Sequence, residues 1–301
     1  DLHLSLRRQR QMCIRDRLIK IRTVIFHRLL TKQFYFVCLL SLLYLLSSQG
    51  WANPSSVEQL ISLSDEKFKT DQLSACLELL QQAERLSLAT EHPISDQAEI
   101  LWRMSRVYTE QGNKIYKDKK KGHKKRARKL FVKAEQLARR STKLSPKNSQ
   151  CYLCVSNAAG SLTQVVGVRE KIKLSEAVRE FADRAVELDP SNHYAHYILA
   201  RWHHGMANVS GVLLAMVKLI YGGLPPASME KSVHHFQQAI QHDSNNVRYR
   251  LEFSRIALSL QDWTLAQLQL DVIQTLIEQS EISPNLEDEV KKIQNKLMSK
   301  V

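Results

Sequence analysis

One distance repeats three times in this chain and narrows what it can fold into. Ala134 and Ser156, Val178 and Ala200, and Ser232 and Ser254 each lie 22 residues apart. The first member of each pair opens a helical pattern: Ala134-x3-Ala138-x2-Ser141, Val178-x3-Ala182-x2-Ala185 and Ser232-x3-Phe236-x2-Ala239. Every pattern runs into a polar break (Lys143 to Asn148, Glu187 to Asn192, Gln241 to Asn246), and a second amphipathic segment follows. Those segments align as Tyr152-x2-Val155-Ser156, His196-x2-Leu199-Ala200 and Arg250-x2-Phe253-Ser254, with Leu101-x2-Met104-Ser105-x2-Tyr108 upstream. Small residues at fixed helical positions let two helices approach closely, and larger ones fill the groove between them. A chain that repeats such a unit at constant spacing stacks helix pairs in one dimension.

The pattern matches the tetratricopeptide scheme, whose repeat length of about 34 residues divides into helix A and helix B. From helix B to the next helix A the distance is constant. From helix A to helix B it is 29 (105→134), 22 (156→178), 32 (200→232) and finally 12 (254→266). Taking 12 as the basic half, the first three pairs carry 17, 10 and 20 extra residues, expected as loops along one edge of the solenoid. An irregular first pair is expected over residues 53–94, with Cys76-x3-Leu80-x2-Ala83 as its second helix. Repeats follow over 95–282. Ser283-Pro284 then starts a charged capping helix over 283–301. The fold class read from this is all-α, a tetratricopeptide-like α-solenoid with long intra-pair insertions and a C-terminal capping helix.

Composition agrees: only 9 Gly and 7 Pro occur among 301 residues. The net charge of +14 would suggest a nucleic-acid binder were it spread out, but it is local. Residues 1–52 hold nine Lys/Arg against two acids, and Lys114 to Lys133 hold eleven against Asp118 alone, leaving the rest of 53–301 at about −3. Arg28 and Lys32 precede the apolar run 34–46, and Gly50 and Ala52 fit signal-peptidase recognition before Asn53. Residues 18–52 therefore read as a signal peptide, and the expected location is the bacterial periplasm or secretion. The alternative is a membrane anchor through residues 34–46. Residues 1–17 fit no targeting logic and resemble translated adapter read-through, a non-native leader set aside from fold reasoning.

Leu101-Trp102-Arg103, a Lys-rich helix, Leu144-x-Pro146-x-Asn148, and above all Gly222-Gly223-Leu224-Pro225-Pro226-Ala227-Ser228 running into Val233-His234-His235-Phe236-Gln237-Gln238-Ala239 together resemble the regulator of microtubule dynamics family, over about residues 60–260. The resemblance implies a non-enzymatic binding protein. Eukaryotic members include proteins that associate with microtubules and one that tethers membranes and handles phospholipids. This chain departs from them in what reads as a bacterial-type signal, so the fold and the binding role are expected to carry over and microtubule attachment is not expected to.

Two candidate binding regions follow from the repeat columns. Helix A lines the concave side of a tetratricopeptide solenoid. The inward position five after each motif start reads Arg106, Asn157, Arg201 and Arg255. The position just after each start reads Trp102, Leu153, Tyr197 and Leu251. An apolar stripe beside guanidinium groups suits a carboxylate-bearing peptide, and inter-repeat salt bridging is the competing use of the same column. The expected groove residues are Trp102, Arg106, Asn157, Tyr197, Arg201 and Arg255. The second region is a basic edge patch in the first insertion: Lys119, Lys120, Lys121, Lys124, Lys125 and Arg126. It reads either as a solvated charge run or as a contact for anionic headgroups or an acidic partner. No aromatic residues alternate with these lysines, so no nucleic acid is expected.

The remaining chemistry reduces to packing. Cys151-x2-Cys154 lies within a helix and lacks the strand-then-helix setting of a redox motif. His196 and His203 share a face but occupy packing columns, so inter-helix contact is expected rather than a metal. The apolar run 212–221 is too short to span a bilayer and is expected to be a short helix covering the core, with a lipid or partner surface as the alternative. There is no Gly-rich phosphate loop, nucleophile elbow or H-E-x-x-H helix. A scaffold or adaptor with no cofactor is expected, binding a protein or peptide partner, with an anionic membrane surface as the alternative.

Overall fold

A computed structural model describes residues 56–90, 94–209, 226–279 and 284–300, together with residues 211, 214–215 and 217–218. The leader, the signal segment, the apolar run 34–46 and most of 212–221 lie outside these residues. Among the described residues there are eleven helices: α1 (Val57–Lys69), α2 (Leu73–Ala89), α3 (Ile94–Lys117), α4 (His123–Leu144), α5 (Ser149–Leu162), α6 (Val168–Leu188), α7 (His193–Ala207), α8 (Met229–His242), α9 (Val247–Ser259), α10 (Trp263–Gln279) and α11 (Pro284–Met298). Consecutive helices pair as α1/α2 through α9/α10, and α11 closes the last pair. No described helix is long and apolar enough to cross a membrane.

The polar breaks work as helix starts. Each ends in an asparagine with extended or near-extended backbone, and its side-chain oxygen accepts a backbone N–H of the next turn. Asn148 accepts from Gln150, Asn192 from Ala195 and Asn246 from Tyr249, at 2.9, 3.1 and 3.3 Å. This satisfies donors that a helix N-terminus leaves unpaired. The next helix A therefore begins at a fixed distance after each helix B.

The small-residue columns meet where the helices of each pair cross. Ser105, Ala134, Ser156, Ala200, Ser232, Ser254 and Ala266 are wholly buried, and Val178 nearly so. In two pairs a hydroxyl bonds the partner helix directly. Ser156 Oγ donates to the Val178 carbonyl at 2.7 Å, and Ser232 Oγ donates to the Ala200 carbonyl at 2.8 Å. The first pair carries the same column with the basic spacing, since Ser64 and Cys76 are 12 residues apart and both fully buried. From Cys76 to Ser105 the distance is 29, so the constant helix-B-to-helix-A half begins only with the second pair.

The insertions are not all loops. The 17 extra residues of the second pair extend both of its helices: α3 runs 12 residues past Ser105, and α4 begins 11 residues before Ala134. Only residues 118–122 turn between them. Compared with α9/α10, α3 gains seven residues, so the hairpin reaches about 10 Å further at 1.5 Å per residue. The 10 extra residues of the third pair go mostly into the start of α6, and the 20 of the fourth into the connection 208–228. The extended hairpin has its own core: Ala127, Phe131 and Leu162 are buried among Ile115, Tyr116, Val132, Val165, Val166 and Leu174. Alternating apolar positions make Lys-rich chain helical here, because one face is covered while the lysines stay in water.

Candidate functional site

The arginine column occupies first helices α3, α7 and α9, and its members have different fates. Arg106 donates to Asp65 Oδ1 of α1 at 2.6 Å and lies over the Phe68 ring at 4.0 Å. Beside it, Arg103 donates to the other oxygen of Asp65 at 2.9 Å and also pairs with Glu99. Glu99 accepts from Trp102 Nε1 at 3.1 Å and from the Asn148 amide at 2.7 Å. Arg255 is held by Glu252 on its own helix and by Glu289 of α11 at 2.7 Å. Both outer arginines thus serve inter-repeat ion pairs.

Arg201 differs. Among the described residues no carboxylate pairs with it; its Nη1 reaches the Tyr197 hydroxyl at 3.4 Å and its guanidinium leans over that ring at 5.6 Å. It is exposed. Around it stand three tyrosines: Tyr197 stacks on Tyr249 at 4.7 Å and on Tyr194 at 5.7 Å between centroids. The Tyr194 hydroxyl donates to Asn157 Oδ1 at 3.2 Å, and the Tyr249 hydroxyl sits 2.8 Å from His193 Nδ1. Burial, foremost, raises the phenol pKa of all three, so they stay protonated donors at any ordinary pH. Arg201, Asn157, Tyr194, Tyr197 and Tyr249 form a polar cluster around one exposed guanidinium.

The expected apolar stripe sits deeper than expected. Trp102, Leu153, Tyr197 and Leu251 are all more than nine-tenths buried, so they support this surface from beneath. Tyr194 and Tyr249 escaped the sequence reading. Tyr194 is three residues before Tyr197, a helical neighbour that the column reading could have caught. Asp65 and Glu289 lie 41 and 34 residues from their arginines, and no local signal points to them.

The basic patch sits at the tip of the α3/α4 hairpin. Lys119, Lys120 and Lys121 lie in the turn; Lys124, Lys125 and Arg126 lie in the first turns of α4; all six are exposed. Asp118 pairs with Lys120 at 2.8 Å, and the other five make no ion pair among the described residues. Arg128 pairs with Glu170 of α6 at 3.0 Å, which ties the tip to the start of the neighbouring helix B. Exposed Val168 stands in that neighbouring turn. Of the apolar run 212–221, Leu214 is exposed and Val217 is buried.

Cys151 and Cys154 lie inside α5, free and buried. Burial pushes their thiols up to about 11 and about 12, and Cys154 donates to the Trp102 carbonyl of α3 at 3.5 Å. No group of three or more His, Cys, Asp or Glu among the described residues is placed to hold a metal ion.

Known proteins share this architecture. A crystal structure of a thermophilic tetratricopeptide protein from Thermus thermophilus superposes with a TM-score of 0.55 at 15% identity, over 79% of this chain and 98% of that one. Human regulator of microtubule dynamics protein 2 is 23% identical over 144 residues, 48% of this chain and 34% of that protein. Regulator of microtubule dynamics protein 1 of Pongo abelii is 22% identical over 180 residues, 56% of this chain and 55% of that protein. The chain thus spans between about a third and just over half of these relatives' length. The family profile of regulator of microtubule dynamics protein 1-3 matches residues 61–298, and the chain belongs to that family.

Proposed function

We propose that this protein is a non-enzymatic interaction scaffold that captures an extended peptide segment with an acidic side chain or a free C-terminal carboxylate, and that Arg201 is the anchor. One observation carries the reading: Arg201 is the single arginine of its column that is exposed without a carboxylate partner among the described residues. Tyrosine hydroxyls and the Asn157 amide surround it, and buried aromatic rings hold it in place. A guanidinium so presented can grip a carboxylate through two parallel hydrogen bonds, and partly exposed Tyr194 adds apolar contact at low entropic cost. Tetratricopeptide architecture and family membership support the scaffold role, whereas the groove and its ligand class are this proposal's own.

The test is a peptide array carrying free or amidated C-termini, with and without internal acids, followed by fluorescence anisotropy of the hits. Arg201→Glu should lower affinity at least tenfold, and Arg201→Lys should restore it only in part, since lysine lacks the planar fork. Equal binding of wild type and Arg201→Glu would rule out this anchor.

A second reading concerns the hairpin tip. Five unpaired cations there adjoin exposed Val168 through the Arg128–Glu170 link, a mixture suited to the surface of an anionic bilayer. Flotation with phosphatidylserine vesicles at rising salt tests it. Charge reversal of Lys119, Lys121, Lys124 and Lys125 should abolish any flotation, and flotation that survives reversal would exclude the tip.

A further inference from the structure

Helices α7 and α8 meet along a seam of imidazoles. His196 and His203, seven residues apart on α7, face His235 and His242, seven apart on α8. The His196 and His235 rings lie 5.3 Å apart, His203 and His235 stack at 5.7 Å with planes 8° apart, and His196 stacks on His242 at 6.2 Å. His196 and His203 are more than nine-tenths buried. His234, beside His235, is exposed.

The hydrogen bonds fix the tautomers. His196 Nε2 lies 3.0 Å from the Pro190 carbonyl, which can only accept, so Nε2 carries the proton. In a neutral ring Nδ1 is then a bare acceptor. It lies 3.0 Å from His235 Nδ1, which must therefore donate. Protonating both His196 and His235 would set two N–H donors against each other at that distance, and a single proton on His196 is accepted only if His235 moves its own proton to Nε2. Protonating His235 keeps the bond but places a charge between the His196 ring and the stacked His203 ring. His203 Nδ1 is buried without a partner, so a proton added there gains no acceptor.

We propose that this seam is a pH-operated clasp: neutral imidazoles hold α7 and α8 together, and protonation in mildly acidic medium loosens the pair. Helix α7 also carries Tyr194, Tyr197 and Arg201, so loosening would release a peptide held there. That consequence rests on the groove reading, whereas the loosening does not.

The surrounding charges agree with this direction. Lys231 of α8 and Arg179 of α6 both act on His203, and Lys231 also acts on His235. Asp183 of α6 lies near both cations, but burial raises its carboxyl and weakens it as a counter-charge. Asp189, before α7, favours a charged His196 and opposes the trend. Burial outweighs it: His196 and His203 are held below the usual imidazole value, and burial with neighbouring His196, His203, His234 and Lys231 pushes His235 down to about 3. A histidine whose folded value is depressed binds its proton more readily in the opened state. The clasp is therefore complete above the free imidazole value of about 6.5 and is lost as pH falls below it.

Hydrogen exchange of the full-length protein at pH 7.5 and 5.5, corrected for intrinsic exchange, tests the clasp without any ligand. One imidazole kept neutral at pH 5.5 favours opening by about elevenfold, because its free form is mostly protonated there. Protection across 229–242 should drop at least tenfold more than across α10. In a His196→Gln/His203→Gln/His235→Gln variant, which keeps hydrogen-bonding capacity without a titratable charge at any of the three buried seam positions, the drop should be under threefold. Equal protection of the wild type at both pH values, or an undiminished drop in the variant, would overturn the clasp. If the variant does not fold, imidazole NMR of the wild type decides. His196, His203 and His235 should titrate well below 6.5, and independent titration of these three near 6.5 sinks the idea. Should exchange show the clasp while an array-selected peptide binds equally at both pH values, only its coupling to the groove is refuted.

Discussion

Replacing Gly112 with alanine sets two opposed effects against each other. A Cβ at that position of α3 would lie 2.4 Å from Cε1, 2.7 Å from Cδ1 and 3.1 Å from Cζ of Phe131 on α4. Carbon atoms in ordinary contact sit about 3.5–4.0 Å apart, so the ring must retreat by roughly 1 Å. It has nowhere obvious to go. Phe131 is fully buried, with Leu162, Ile115, Tyr116, Val165 and Leu174 around it. Overpacking of this kind costs about 1–3 kcal/mol. Alanine recovers about 1 kcal/mol of helix propensity over glycine, so a net loss of about 1 kcal/mol is expected. Urea unfolding followed by circular dichroism should show a lower midpoint with an unchanged slope. Phe131→Leu alone should also destabilise, by opening a cavity. The double variant should lose less than the sum of the two, with a favourable coupling of about 1 kcal/mol. A Gly112→Ala protein more stable than wild type, with additive effects of Phe131→Leu, would refute close approach of these helices.

Other predictions address other layers of the molecule. Phe236 is fully buried between Tyr197 and Phe253, at 6.1 and 5.4 Å between centroids, and Phe236→Ala should cost about 3–5 kcal/mol in denaturant melts. Ser232→Ala, which removes one hydroxyl–carbonyl bond at a helix crossing, should cost only about 1 kcal/mol. Lys124→Glu and Lys125→Glu place acids in the first turn of α4, so they should raise stability by about 0.3–1 kcal/mol each while weakening any flotation with anionic vesicles. Cys76, Cys151 and Cys154 should resist alkylation at pH 8 in mass-spectrometric mapping until denaturant is added; labelling of native Cys154 would contradict its burial.

The stacked-pair architecture was readable because it depends on positions where only small residues fit, and Ser156, Ala200 and Ser254 recur at one distance. What the insertions become was not. A run such as Lys119 to Arg126 reads as a solvated, partly helical charge run, but its charge does not show how far the helices extend; Ile115, Tyr116, Ala127 and Phe131 supply the covered face that makes its flanks helix. The arginine column was visible, but which arginine is free depends on Asp65 and Glu289, which meet it only through stacking of distant helices. The histidine seam was half visible: His196 and His203 share a face on one helix. Their counterparts His235 and His242 come opposite only because the extra residues between α7 and α8 go into the connection and leave the crossing register intact.

The serine bonds at the helix crossings carry a mechanical consequence. Ser156 bonds the Val178 carbonyl and Ser232 bonds the Ala200 carbonyl at the point where each pair crosses, so each crossing acts as a pinned pivot. Chain added beyond such a pivot lengthens a free arm without altering how neighbouring pairs stack. At the other crossings buried small residues allow the same close approach without a hydroxyl bond between the helices, so one molecule holds a short arm at α9/α10, a longer one at α3/α4 and a 21-residue connection between α7 and α8. Evolution can thus vary reach along one edge while the stacking of the repeats stays fixed.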